Sequence, residues 1–213
     1  MSKKAATMPA TSQTISPRAS QVRDVSAVAP AERARAVATV ALAFASDPMM
    51  RWSFPDPDRY FEIARDFIDA FGGHAVEHGG ADQALGFAAV ALWLPPGVRP
   101  DGEAMGAIIE GNMPSERMKD GAGLTEQMNR FHPKEPHWYL PLIGTDPAHQ
   151  GKGFGTALLE YAMQRCDRDR LPAYLESSNA KNVPLYERFG FKIMGTIQQG
   201  SSPPLIPMFR TVR

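Results

Sequence analysis

The chain has 213 residues, with 23 lysines plus arginines, 23 aspartates plus glutamates and one cysteine, Cys166. That length suits a single domain with a full hydrophobic core and falls short for two. Balanced charge supplies no field to draw the chain to nucleic acid or to an anionic membrane, and a lone cysteine excludes a disulfide framework or a multi-cysteine metal site.

Residues 1–22 are rich in serine, threonine, alanine and proline and lack the apolar segment of a secretory signal. They read as a disordered tail before one domain over 23–213, and the absent signal and single thiol suit a cytoplasmic setting. Residues 30–45 place apolar side chains at Ala34, Val37, Leu42 and Phe44 and stop at Asp47-Pro48, which predicts a helix. Residues 49–57 read as a loop. Over 58–71, Phe61, Ile63, Ala64, Phe67, Ile68 and Phe71 predict an amphipathic helix closed by Gly72-Gly73. His74-Ala75-Val76-Glu77-His78 then spells H-x-x-E-H, used by one class of zinc hydrolases, although the glycine pairs on both sides weaken the helix it needs. The apolar run 84–94, ended by Pro95-Pro96, predicts a buried strand or hairpin arm and is well under the ~20 residues of a membrane span. Residues 97–130 carry Met105, Ile108, Ile109, Met113, Met118 and Met128 among glycines and charges. They predict one or two irregular helices, either lining a substrate pocket or filling gaps in the core.

The C-terminal half is more regular. It predicts a strand at 137–145, a helix at 153–167, a strand at 171–177, a helix at 183–189 closed by Gly190, a strand at 191–197 and a last strand at 206–212. The first strand, its helix and the 171–177 strand form a β-α-β unit, which demands a parallel pair and a right-handed crossover. One α/β or α+β domain with a mixed sheet follows. Cys166 falls on an apolar stripe with Leu158 and Ala162, so it reads as a buried thiol rather than an acyl carrier.

The segment from Asp146 to Thr156 joins a strand to a helix with glycines at the turn, an arrangement that aims free backbone N–H groups and a helix dipole at one point. An anion such as a pyrophosphate is implied. Gly153 after Gly151-Lys152 excludes a Walker loop, and Thr156 stands where the dinucleotide fingerprint needs its third glycine. Gln150, Gly153 and Gly155 instead fit Q/R-x-x-G-x-G/A. With Leu140 to Pro147 before it, and Leu175-Glu176-Ser177 and Asn182 to Phe191 after it, the chain resembles the GNAT acetyltransferase superfamily over about 137–191. The segments Ala41 to Ala45, Val90 to Trp93 and Phe131 to Leu140 are similar to the puromycin N-acetyltransferase group and its actinobacterial relatives.

The resemblance implies the GNAT fold: a mixed, mostly antiparallel sheet flanked by helices, with a splayed parallel strand pair at the CoA site. It implies acetyl transfer from acetyl-CoA to the primary amine of a small molecule in a ternary complex, with no metal, and it admits a homodimer. It carries CoA binding onto Ile143, Gly144 and Thr145 for the thioester and pantetheine. Gln150, Gly151, Lys152, Gly153, Phe154, Gly155 and Thr156 take the pyrophosphate, and Asn182 takes the CoA arm. Asn182 is equally placed to cap the helix after it. Tyr186 matches the general acid that protonates the departing thiolate, or else is a core tyrosine beside Phe189 and Phe191. For the base, Glu135 comes first, ahead of His132, His137 and an inward-pointing Glu176. A non-catalytic acyl-CoA-binding module has the same motifs.

Overall fold

The computed structural model describes residues 24–212; the tail expected over 1–22 lies outside the described residues. Among the described residues seven strands form one sheet: β1 (Val25–Ala27), β2 (Ala81–Ala84), β3 (Ala89–Leu94), β4 (Trp138–Thr145), β5 (Ala173–Ser177), β6 (Lys192–Ile193) and β7 (Ile206–Arg210). Their order is β1-β2-β3-β4-β5-β7-β6. Every neighbouring pair is antiparallel except β4 and β5. That one parallel pair is the crossover the β-α-β pattern demands. The strand expected over 191–197 shrinks to two residues plus a bridge between Ile197 and Leu205.

Eight helices flank the sheet among the described residues: α1 (Arg33–Ala43), α2 (Pro48–Ser53), α3 (Tyr60–Gly72), α4 (His74–Glu77), α5 (Gly102–Asn112), α6 (Met118–Phe131), α7 (Phe154–Asp169) and α8 (Val183–Arg188). On one face, Val37, Val40, Ile63, Ile68, Leu92, Tyr139 and Tyr174 share a core with α1 and α3. On the other, Trp93, Trp138, Leu158, Leu175, Tyr186 and Phe191 pack with α7 and α8. Because side chains alternate along a strand, Tyr139 and Tyr174 face the first core while Leu140 and Leu175 face the second. Cys166 is buried in the second core, where loss of solvent pushes its thiol up to about 12 and leaves it inert.

The first loop expectation is corrected. Residues 48–53 are helical, because Pro48 opens the turn and the Asp47 carboxylate accepts from Met49 N and Met50 N, both at 3.0 Å. The methionine-rich insertion supplies α5 and α6, and its Met113 and Leu124 form a third cluster with Trp52, Ile197 and Leu205. The H-x-x-E-H segment is a single helical turn. Its Glu77 pairs with Arg33 and its His74 Nδ1 bonds Arg99 O at 2.9 Å, so both groups serve the fold. Among the described residues no three His, Cys, Asp or Glu side chains gather as metal ligands, and no helix is long and apolar enough to cross a membrane.

Candidate active site

The β4–β5 pairing is short. Trp138 opposes Ala173, Tyr139 opposes Tyr174, Leu140 opposes Leu175, and there it ends. The next residue on β4 is Pro141, which has no N–H to offer a neighbouring strand. Beyond it, β4 remains paired with β3 as far as Thr145, and Glu176 and Ser177 of β5 remain paired with β7. The two strands therefore part, and a cavity of about 590 Å³ occupies the opening.

The loop before α7 forms one wall. Asp146 starts it by accepting from Ala148 N at 2.8 Å. Gly151 and Gly153 then take φ values of 71° and 88°, a left-handed backbone in which a side chain would be strained. Gly153 immediately precedes α7, and no side chain caps that helix. Its first N–H groups thus lack partners, and the positive end of its dipole lies at the cavity wall formed by Gly153, Phe154, Gly155 and Thr156. This suits an anion.

The cavity gathers Ile143, Gly144, Thr145, Gln150, Gly151, Gly153, Phe154, Gly155, Thr156, Asn182 and Tyr186. Gly144 also has a packing reason: a Cβ there would lie 2.6 Å from Ala43 Cβ on α1. Two expected residues stand apart. Lys152 turns its ammonium back onto Ala148 O at 2.8 Å and is not part of the wall. Glu135 is exposed in the turn three residues before β4 begins, and it too is outside the wall. Asn182 precedes α8 but makes no capping hydrogen bond with its side chain, which leaves that amide available to a ligand.

Two ionisable groups meet in the opening from opposite faces of the sheet. Tyr186, on α8, is 5% exposed and belongs to the α7-side core. Burial, and then the negative charge of Asp47, raise its pKa above the usual phenol value, so it is a proton donor across the physiological range. Glu176 follows Tyr174 by two on β5 and so shares its opposite face. Burial pushes its carboxyl up to about 7, against the downward pull of the Tyr139 and Tyr174 hydroxyls. Those hydroxyls do not complete its bonding: among the described residues, Glu176 Oε1 and Tyr174 Oη are covered and without partners. An unpartnered acceptor at a cavity wall is a place for an incoming N–H.

The two histidines form a separate unit. His137 Nδ1 sits 2.7 Å from Glu135 O, and since a carbonyl only accepts, that nitrogen carries the proton. His137 Nε2 then accepts from His132 Nε2 at 3.1 Å. The His132 ring lies edge-on to Tyr139 and Tyr174 at 4.9 and 5.0 Å. Burial, then His137 and Arg99, lower its pKa to about 4, so it is neutral at physiological pH. Neither histidine reaches the cavity wall.

Several wall residues were not singled out by sequence pattern: Asp47, His149, Ser178, Lys181 and Arg188. Asp47 was legible only as a helix stop. It also accepts from Ser178 Oγ across the cleft, a contact between residues 131 positions apart.

Comparison with known proteins matches this arrangement. The profile of the Acetyltransferase (GNAT) family covers residues 40–191. An uncharacterized N-acetyltransferase of Schizosaccharomyces pombe is 31% identical over 140 residues, covering 60% of this chain and 56% of that protein. The mycothiol acetyltransferase of Acidothermus cellulolyticus is 35% identical over 78 residues, covering 35% of this chain and 24% of that protein. The matched segments thus span about half the length of the first relative and a quarter of the second. Among solved structures, the histone acetyltransferase HPA2 and related acetyltransferase of Corynebacterium glutamicum is 27% identical with a TM-score of 0.65, covering 89% of this chain and 96% of that one. The polyamine N-acetyltransferase of Drosophila melanogaster, which forms N-acetylagmatine, shares the fold at a TM-score of 0.56 and 13% identity over 88% of this chain and 99% of that one.

Proposed function

This chain belongs to the GNAT acetyltransferase family, and we propose that it transfers an acetyl group from acetyl-CoA to the primary amine of a small molecule. The observation that carries this reading is the parting of β4 and β5 beside an uncapped helix start, with an acid and a base candidate on the same cavity wall. The loop amides and the α7 dipole would take the pyrophosphate. The wall at Ile143, Gly144, Thr145 and Asn182 would take the pantetheine and thioester.

The acceptor enters as the neutral amine with an N–H against Glu176 Oε1. Its nitrogen lone pair attacks the thioester carbon, Glu176 takes one N–H proton as the C–N bond forms, the C–S bond breaks, and the sulfur takes the Tyr186 proton. Solvent afterwards returns a proton to Tyr186 and removes one from Glu176. Glu176 replaces Glu135 as base in this reading because only Glu176 is part of the cavity wall.

The test combines binding with turnover. At 100 times its Kd, acetyl-CoA stabilises the folded chain by about 2.7 kcal/mol, a rise in melting temperature on the order of 5–10 °C for a chain of this size. Zinc produces no comparable rise. Thioester consumption over a panel of puromycin, polyamines and amino acids then identifies the acceptor. Binding without turnover on any amine would favour an acyl-CoA-binding module, and stabilisation by zinc alone would revive the H-x-x-E-H reading.

The loop offers a sharper check. A Cβ on Gly155 would meet only Leu185 Cδ2, at an ordinary 3.6 Å, so the fold accommodates a side chain at that point. Gly155→Val raises the KM for acetyl-CoA by about tenfold or more and leaves that for the amine unchanged, since the new side chain occupies anion space. Equal losses on both substrates would mean general damage to the fold.

A further inference from the structure

We infer that His132 and His137 are positioning residues for the reaction: paired with each other, they hold Tyr139 and Tyr174 in place about Glu176. This rests on the base assignment above. The pair is built where the methionine-rich insertion returns to the sheet. His132 follows the last residue of α6 and its backbone N–H donates to Met128 O at 2.9 Å, while His137 immediately precedes β4. Their Nε2 atoms meet across that short turn at 3.1 Å, and His137 is fixed in turn by Glu135 O at 2.7 Å. Glu135 thus contributes its carbonyl and not its carboxylate.

The pair bears on two tyrosines. Tyr139 and Tyr174 stand directly opposite each other on the parallel strands β4 and β5, and the His132 ring is edge-on to both. His137 adds an edge contact to Tyr174 at 6.0 Å, and Phe71 of α3 lies 6.3 Å from Tyr139 on another side. Among the described residues Tyr174 Oη has no hydrogen-bond partner, so the packing of its ring sets where that hydroxyl lies. Its place matters because the Tyr139 and Tyr174 hydroxyls are the side-chain groups that favour the Glu176 carboxylate against its burial. The charged groups facing His132 are His137 and Arg99, and with burial they hold it at about 4, well below the Glu176 carboxyl at about 7. A proton leaving Glu176 therefore does not pass onto His132. An uncharged pair also preserves the base, since a cation at that point would stabilise the carboxylate and weaken its pull on the amine.

The experiment titrates the Glu176 carboxyl by NMR on the full chain labelled at glutamate, its resonance being the one lost in Glu176→Gln. In His132→Ala the tyrosines lose their brace, and the titration moves upward by about one pH unit. Near neutrality kcat/KM on the best acceptor of the amine panel then falls by about fivefold, and most of the loss returns at higher pH. The KM for acetyl-CoA stays at its wild-type value. Tyr174→Phe moves the titration in the same direction, and the double variant moves it by less than the sum of the two, because His132 acts through that hydroxyl. His132→Phe restores a ring and keeps the titration near wild type. His137→Ala, at a half-buried turn, puts less of the fold at risk and gives a smaller upward shift. A titration unmoved in His132→Ala and His137→Ala, whatever their melting temperatures, would reduce the pair to a structural contact and leave the base assignment standing. His132→Phe as impaired as His132→Ala would make the imidazole a proton carrier and overturn the positioning role. A titration that moves while the rate does not would remove Glu176 as the base, and the role of the pair with it.

Discussion

Glu176→Gln lowers turnover by about a hundredfold to ten-thousandfold, the range expected when a positioned proton acceptor is lost. Glutamine keeps the size and most of the polarity of the side chain, so a structural role for Glu176 predicts little change in rate. The pH profile separates the two. With its carboxyl at about 7, the fraction of Glu176 able to accept a proton rises through neutrality, and wild-type kcat/KM climbs to a plateau with an inflection near that value. In the glutamine variant that limb disappears. Stability changes with the opposite sign: the carboxyl is raised from 4.5 to about 7 on folding, so the native state binds more protons than the unfolded chain between those values. Wild-type stability therefore falls as pH rises across that window, and Glu176→Gln removes the slope. Glu135→Gln, an exposed change away from the cavity, leaves turnover essentially unaltered. Loss of activity in that variant with retention in Glu176→Gln would return the base role to Glu135.

Tyr186→Phe keeps the fold and the affinity for acetyl-CoA but slows turnover by about a hundredfold to ten-thousandfold. Phenylalanine preserves the ring that packs 6.2 Å from Phe191, so only the hydroxyl is removed from the buried cluster. Burial and the Asp47 charge hold that hydroxyl protonated, which suits a donor to a leaving thiolate and not a base. The control is an acyl donor whose thiol has a lower pKa. Such a thiolate needs protonation less, so the variant recovers part of its rate on it. An unimpaired Tyr186→Phe would remove this residue from the mechanism while leaving CoA binding untouched.

The sequence alone determined the elements that depend on local periodicity and turn chemistry. α3, α7, β4 and β5 follow from apolar spacing closed by glycine or proline, and the glycines of 151–155 announce an anion site because left-handed turns and an uncapped helix start are local properties. α2 was not foreseen, because its start depends on a side-chain cap from Asp47 rather than on a hydrophobic pattern. Nor could sequence pattern choose among four candidate bases, since adjacency along the chain says little about which wall a side chain joins. Glu135 precedes the motif strand and yet is exposed, whereas Glu176 comes from one face of the sheet and Tyr186 from the other. They meet only where β4 and β5 part after Leu140. The tertiary structure also decided the chemistry of both groups: burial raises Tyr186 and Glu176, and a side chain's solvent exposure is set by what packs over it, a quantity no local pattern encodes.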